Sequence, residues 1–440
     1  MKNNFIKYFG LSLFSLVLFV GCSLDTDNPN SLVEEDLDIR AFGPMVNGLE
    51  AVVVRAYGNI LAPYSTASDE MVWSGSRDAW QQLNFGNIDN INNEFTDAAF
   101  FYVAEARYWS DAVIALGLEY SATNAWSTIN EKDMVRAYMY SAITYMFIAD
   151  MFDDFVIGSA KTVAAPAVGP SGMVSLYDQA VSYIDAGLAL NSGLTGELKA
   201  LKARALFTKG VWGKTNPVNT ASPLVSSAAA AALAAEALTA LVLSPDFQVT
   251  LDTSSAAPGT IGGLDIGGEV NDRKEMRLSD TYVISEKLAA VGTGDNDPAT
   301  SITLNDIIDG IPDPALYKHV KAFTQAGLYP IYPIATAREM HLILAEHALA
   351  GGNTADFTTH INNLRALEPS LTAYSGQVDA KDLLLHSRRV NLFLQGRRLA
   401  DHYRFGAPSE FWIPTSVAIN APGAFFPITI SEIQSNPEVN

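Results

Sequence analysis

Small and aromatic residues alternate at three- and four-residue spacing along two neighbouring stretches of the chain. Residues 131–152 carry Ala137, Tyr138, Ala142 and Tyr145, and residues 176–190 repeat the pattern with Tyr177, Ala180 and Gly187. This spacing predicts two helices with one apolar face each. Small side chains let two helices approach closely, and bulky ones fill the grooves beside them. The pattern therefore predicts a packed helical pair.

Helical spacing recurs on both sides of this pair. The alanine-rich stretch 226–243 is also predicted to be a helix, because alanine is the strongest helix former and its leucines form one face. Helices in consecutive pairs are typical of tetratricopeptide-like repeats. The further predicted helices are residues 39–60, 95–120, 197–212, 335–350, 354–367 and 378–399.

Two regions interrupt the helices. Residues 65–90 are polar and contain glycines, so we predict a long irregular segment there that carries aromatic residues. Residues 244–333 are predicted to form a loop-rich insertion with short β-prone runs at 247–251 and 281–284. The tail from residue 406 is rich in proline and is predicted to be mostly loop.

The first residues of the chain predict export. Lys2 and Lys7 precede an apolar run at 11–20, which is too short to span a bilayer and has the length of a signal-peptide core. Val20-Gly21-Cys22 is similar to a bacterial lipobox, which implies acylation of the Cys22 thiol and cleavage just before it. The alternative is an ordinary secretory signal followed by an incidental cysteine.

These features predict three parts of the chain. Residues 1–21 are the lipoprotein signal peptide, 22–37 a lipidated tether, and 38–440 a single domain. Its helical repeats cover about 38–243 and 335–400, on either side of the insertion at about 244–333. The acidic residues that follow Cys22 fit either a solvated linker or a surface-export signal.

Composition narrows the function classes. The formal net charge is −20, which argues against nucleic-acid binding because phosphates require clustered lysine and arginine. Hydrophobic residues make up 48% of the chain, enough for a large core. Cys22 is the only cysteine, so no intramolecular disulfide can form and burial must hold the fold together.

The aromatic segment is the candidate ligand-binding site. Apolar faces of sugars stack on flat rings, while acid, amide and guanidinium groups hydrogen-bond their hydroxyls. The alternative is that one or both tryptophans anchor the segment in the core. The candidate residues are Trp73, Arg77, Asp78, Trp80, Gln81 and Asn84.

No motif predicts catalysis, a metal or a cofactor. His341 and His347 are not spaced to share one helix face, and Asp295-Asn296-Asp297 fits a solvated turn better than a calcium loop. We predict that Asp153 and Asp154 form a solvated helix end. The arginines near the C-terminus are predicted to hold that region through ion pairs: Arg388, Arg389, Arg397, Arg398 and Arg404.

The C-terminal third resembles the SusD/RagB family of outer-membrane nutrient-binding lipoproteins. Residues 332–348 are similar to the family's strand and "R-x-x-E-x-x-L-x-x-AEA" helix, and 361–365 to its "IN-x-hydrophobic-R" segment. Residues 388–406 resemble "RR-x-E-L-x-x-E-G-x-R-W-x-D-L-x-R-x-G", and 426–437 the closing "P-I-P-x-x-E-I-x-x-N-P". The chain resembles a divergent member, because Asn391, Gln395 and Leu399 replace the usual Glu, Glu and Trp.

This resemblance implies a mostly α-helical superhelix of about four tetratricopeptide-like pairs with an irregular ligand-binding portion. It implies a lipid-anchored outer-membrane protein that faces outward. Such a protein binds an oligosaccharide, or sometimes a peptide, and delivers it to a SusC-like TonB-dependent transporter without chemistry of its own. Two alternatives stay open: a tetratricopeptide scaffold for a protein partner, and a surface glycoside hydrolase.

Overall fold

The computed structural model describes residues 39–123, 127–159, 163–190, 193–252, 265–284 and 301–439. The predicted signal peptide, Cys22, the tether and the Asp295-Asn296-Asp297 segment lie outside these residues. The chain divides into residues 1–41, of which Ile39–Ala41 form one 3-10 turn, and a body from Phe42 onward. Among the described helices, none combines the length and apolarity that a membrane span requires.

Among the described residues, the first half of the body contains seven helices and one short strand, joined by loops. Its elements in chain order are α1 (Phe42–Ala67), β1 (Met71–Trp73), α2 (Asp78–Asn84), α3 (Glu94–Thr123), α4 (Thr128–Met151), α5 (Ser175–Leu188), α6 (Thr195–Thr215) and α7 (Ala228–Ala240).

The second half holds the remaining strands and shorter helices. Its elements are β2 (Gln248–Asp252), a π-helical turn (Gly268–Asp272), β3 (Met276–Leu278), α8 (Pro314–Gln325), β4 (Ile331–Thr336), α9 (Ala337–Ala350), α10 (Thr354–Arg365), α11 (Ala380–Asn391), α12 (Arg398–Phe405), α13 (Val417–Asn420) and α14 (Ile430–Ser435).

The long helices pack in pairs that follow the chain. α1 packs on α3, α4 on α5, α6 on α7, and α9 on α10. Neighbouring pairs are joined through contacts of α1 with α4, α5 with α6, and α7 with α9. Two antiparallel two-stranded sheets, β1–β3 and β2–β4, connect distant parts of the chain. The mostly α-helical fold predicted from the sequence is therefore confirmed.

Capping residues explain where several helices begin. Ser127 and Asn130 form a capping box at the start of α4, and Thr336 accepts a hydrogen bond from the amide of Glu339 at the start of α9. Asp313 accepts from the Ala315 and Leu316 amides, with Pro314 at the first position of α8. These side chains satisfy amides that have no partner inside the helix.

Three predicted segments were wrong in part. Residues 65–90 contain β1 and α2, because a buried hydrophobic face orders this segment. The insertion includes α8, and residues 281–284 make only an isolated bridge between Val283 and Ile302 rather than a strand. The helix predicted at 378–399 is interrupted between α11 and α12.

The interruption between α11 and α12 has a local cause. Leu394 and Gly396 have φ angles of 54° and 70°, which a right-handed helix cannot contain. The φ of Gly396 is one that residues with a side chain rarely adopt, and a Cβ there would lie 2.5 Å from the flexible end of Met151, so glycine is favoured at this position. The turn redirects the chain so that α12 packs on α6 and α1.

The C-terminal arginines do form ion pairs, as predicted. Most of their partners are buried carboxylates on other elements, so the pairs join the C-terminal region to the rest of the core. The pairs include Arg388–Asp401 at 2.8 Å, Arg389–Asp69 at 3.0 Å, Arg397–Glu339 at 3.0 Å, Arg398–Asp69 at 2.7 Å and Arg404–Asp401 at 2.8 Å.

Asp153 and Asp154 are not the solvated helix end that the sequence predicted. The Asp153 carboxylate accepts a hydrogen bond from the Phe425 amide at 2.8 Å. The Asp154 carboxylate accepts from the amides of Phe155 and Gly169, both at 2.8 Å. Burial raises the pKa of Asp153 to about 6. Both side chains hold the end of α4 to distant backbone.

A buried carboxyl next to the interruption predicts a pH effect on stability. Glu70 accepts the Leu394 amide at 2.8 Å, and burial raises its pKa to about 8. In the unfolded chain Glu70 ionises near its ordinary pKa, so the stability that Glu70 contributes falls as the pH rises from about 4.5 to about 8. We expect Glu70→Gln to match the wild type near pH 4 and to have the higher melting temperature at pH 9.

Thermal unfolding followed by circular dichroism from pH 4 to pH 9 measures this difference. Glu410→Gln, at an exposed carboxylate, is the control and should track the wild type across the range. A constant offset between Glu70→Gln and the wild type would contradict an ionisation of Glu70 within this range.

Candidate functional site

The candidate site lies on the segment from β1 through α2, which a distant carboxylate holds in place. The Glu275 carboxylate accepts hydrogen bonds from the Ser76 amide at 2.8 Å and the Arg77 amide at 3.1 Å. The Glu275 carbonyl accepts from the amides of Ser74 and Gly75. A Cβ at Gly75 would lie 2.0 Å from the Glu275 carboxylate, so this close approach requires glycine.

Trp80 is buried beneath this segment. Its side chain is 0% exposed, and its ring stacks on Phe95 with centroids 3.7 Å apart and planes at 13°. Its indole Nε1 donates to Glu269 at 3.2 Å. Burial raises the pKa of Glu269. Phe95 covers one face of the Trp80 ring, and Trp80 has no exposed surface. Trp80 therefore anchors the segment in the core, which is the alternative to ligand binding that the sequence left open.

Arg77 covers the outer face of the same stack. Its guanidinium carbon lies 4.8 Å from the Phe95 ring centre, a cation–π geometry. The guanidinium also donates to both carboxylate oxygens of Glu94, at 3.1 and 2.7 Å. Arg77, Phe95 and Trp80 therefore form a column from the surface into the core, with the guanidinium at its half-exposed end.

The other candidate residues differ in exposure. Asp78 is exposed, Trp73 and Gln81 are partly exposed, and Asn84 is buried. The Trp73 amide donates to Asn84 Oδ1 at 3.4 Å. The structure thus brings Trp73 and Asn84 together, and it leaves Trp73, Arg77, Asp78 and Gln81 with surface that a ligand can reach.

Two donors in this pair have no acceptor among the described residues. They are Trp73 Nε1 and Asn84 Nδ2, and both atoms are buried. Buried N–H groups in native proteins are nearly always hydrogen-bonded, to protein, water or ligand, because an unmet donor costs about 1–3 kcal/mol. This unmet capacity points to a polar partner at Trp73 and Asn84.

Several residues of this site could not be found from the sequence. Glu269 and Glu275 reach it across 189 and 198 residues of chain, and nothing near them in sequence marks them as partners of the aromatic segment. Phe95 could be found, because it begins the apolar face of a predicted helix, but its ring contact with Trp80 could not.

One cluster among the described residues offers metal-ligand atoms. Asp306, Asp313 and His386 are buried, with their ligand atoms within 4.8 Å of one another. His386 Nε2 lies 2.8 Å from Asp313, and Arg365 binds both oxygens of Asp306 at 2.7 and 3.1 Å. Because Arg365 already supplies a cation to Asp306, the arrangement fits an ion-pair network better than a metal centre.

No protein-family model and no curated protein matches the chain. Solved structures do match. A SusD superfamily protein from Bacteroides thetaiotaomicron has a TM-score of 0.63 at 15% identity, over 92% of this chain and 99% of its own. A SusD-like carbohydrate-binding protein from Bacteroides vulgatus has a TM-score of 0.56 at 12% identity, over 91% and 97%.

A laminarin-binding SusD-like protein matches with a TM-score of 0.51 at 14% identity, over 89% of this chain and 98% of its own. At such identities the likeness concerns the backbone fold, and it extends over about nine-tenths of this chain. The chain has the SusD-like helical fold.

Proposed function

We propose that this protein is a surface-exposed, non-catalytic glycan-binding lipoprotein. The carrying observation is the held β1–α2 segment, where the partly exposed Trp73 adjoins two buried donors without acceptors. A sugar ring on the indole face with hydroxyls near Trp73 Nε1 and Asn84 Nδ2 would meet both needs. Carbohydrate-binding proteins among the structures that share this fold support the proposal.

The remaining parts of the proposal concern location and partner. Acylated Cys22 would anchor the protein to the outer membrane, with the body facing outward. The captured oligosaccharide or polysaccharide would pass to a SusC-like TonB-dependent transporter. The resemblance of the C-terminal segments to SusD/RagB proteins supports this role.

A tryptophan substitution tests the binding site. We expect Trp73→Ala to bind any polysaccharide that the wild type binds about tenfold more weakly. This change corresponds to a loss of roughly 1.4 kcal/mol, which is typical of an anchor side chain. Affinity electrophoresis in gels containing laminarin, amylopectin, xylan or polygalacturonate measures this change. Tyr329→Ala, at a 41% exposed aromatic residue just before β4, is the control.

Equal retardation of Trp73→Ala and Tyr329→Ala would contradict the proposed site. If no polysaccharide in the panel retards the wild type, that result would contradict glycan binding and favour a scaffold for a protein partner. Chromatography of each polysaccharide after incubation with the protein tests for chemistry, and release of shorter saccharides would overturn the non-catalytic assignment.

A further inference from the structure

A second concave surface lies away from the β1–α2 segment. It is a groove of about 650 Å³ between α3, residues 156–158 and 163–164, and the C-terminal residues 432–437. Its volume is within the range of small-molecule sites, roughly 300–1,000 Å³. Neither the candidate residues of the aromatic segment nor the residues that hold them line it.

One helix face supplies the aromatic wall of this groove. Phe101, Glu105 and Tyr108 follow one another on α3 at i, i+4 and i+7, so they share a face. Phe101 is 65% exposed although it lies within α3, two turns from its start. Folding therefore leaves a flat apolar ring at the groove edge with a carboxylate one turn away.

Hydrogen bonds fix the other walls relative to α3. Ser431 on α14 donates its hydroxyl to Asp97 at 2.6 Å. Asn436 donates to the Ala165 carbonyl at 2.9 Å, and Arg107 donates to the Gly158 carbonyl at 2.6 Å. These contacts connect all three walls, so the groove is formed before any ligand arrives.

Arg107 contributes a charged donor to the groove lining. It is only 7% exposed, its Nη1 also contacts Asp111 at 3.1 Å, and its Nε has no acceptor among the described residues. A buried guanidinium with unmet donor capacity beside a groove points to an oxygen-bearing occupant.

The charges at the groove favour a neutral occupant. Asp111 compensates the Arg107 charge and Arg55 pairs with Glu105, so Glu432 adds a further carboxylate to the lining. The chain as a whole carries a net charge of −20. An acidic ligand would therefore meet repulsion, whereas a polyol would find both donors and acceptors.

We propose that the α3 groove is a second saccharide subsite that binds neutral sugar rings against Phe101 and Tyr108. This inference rests on the proposed glycan-binding function and adds a site that the aromatic segment does not contain. A polysaccharide that reaches both sites would be bound more tightly than either site alone allows.

Two substitutions at the groove test this inference. Phe101→Ala removes the exposed ring, and Ala104→Trp fills the groove. Leu118→Ala and Ala115→Trp make matched changes at exposed positions of α3 outside it. The probes are three neutral polysaccharides: laminarin, amylopectin and xylan. We expect the two groove variants to bind at least one of them roughly three- to tenfold more weakly in affinity gels, and the two controls to bind like the wild type.

The outcomes separate this inference from the proposed function. Wild-type affinity in both groove variants, alongside weakened binding by Trp73→Ala, would overturn the second subsite and leave the proposed function standing. The same result is expected if the groove binds a polypeptide instead of a sugar. If the wild type binds polygalacturonate and Phe101→Ala weakens that binding, the assignment of a neutral sugar to the groove is overturned. No binding of any polysaccharide by the wild type would overturn both proposals.

Discussion

Replacing Arg404 by methionine is expected to lower the free energy of unfolding by about 3–5 kcal/mol. The Arg404 side chain is fully buried; its guanidinium pairs with both oxygens of Glu346, contacts Asp401 at 2.8 Å and donates to the Pro223 carbonyl at 3.0 Å. Methionine fills much of the same space, but it leaves the buried carboxylates of Glu346 and Asp401 with only Arg388 as a cation among the contacts described. Urea unfolding followed by tryptophan fluorescence measures the change.

An exposed pair provides the control for this prediction. Arg277 contacts Asp280 at 2.5 Å on the surface, with side chains 36% and 62% exposed. Arg277→Met should cost less than about 1 kcal/mol, because solvent screens such pairs. Equal losses from Arg277→Met and Arg404→Met would contradict a structural role for the buried network.

A double variant separates the charge left behind from the packing lost. Glu346→Leu combined with Arg404→Met removes both members of the buried pair, so we expect it to cost less than the sum of the two single substitutions. Asp401 would keep its contact with Arg388 at 2.8 Å in that variant. Strict additivity would show that Arg404 and Glu346 do not interact in the folded protein.

The sequence predicted the long helices well because each must bury one continuous face. The helix predicted at 95–120 is α3, and that predicted at 131–152 is α4, with ends that differ by a few residues. The interruption at Leu394 and Gly396 escaped prediction, since apolar spacing continues through it. It depends on the close approach of Met151 and on a hydrogen bond to Glu70, which are tertiary contacts.

The sequence marks the β1–α2 segment as the candidate site but does not give its geometry. An irregular run with two tryptophans marked the segment, and composition does not tell which ring faces solvent. Trp80 is buried because Phe95 lies on it and Glu269 accepts its indole proton, while Trp73 stays partly exposed. Phe101 lies within the helix predicted at 95–120, and the structure leaves its ring exposed.

Replacing Trp80 by alanine is expected to lower the free energy of unfolding by about 3–5 kcal/mol, the usual cost of removing a buried large ring. The substitution leaves a cavity against Phe95 and removes the hydrogen bond to buried Glu269. Urea unfolding measures the loss. Phe101→Ala, at a 65% exposed ring, is the control and should change stability by no more than about 0.5 kcal/mol.

Trp80→Phe distinguishes the ring stack from the hydrogen bond. Phenylalanine keeps a ring beside Phe95 but cannot donate to Glu269, so we expect a smaller loss than for alanine. If Trp80→Ala also loses glycan binding, the reason would be that Phe95 and Arg77 are no longer held in their column. Trp80→Phe should retain binding. A Trp80→Ala protein as stable as Phe101→Ala that still lost binding would instead place the Trp80 ring in contact with the ligand.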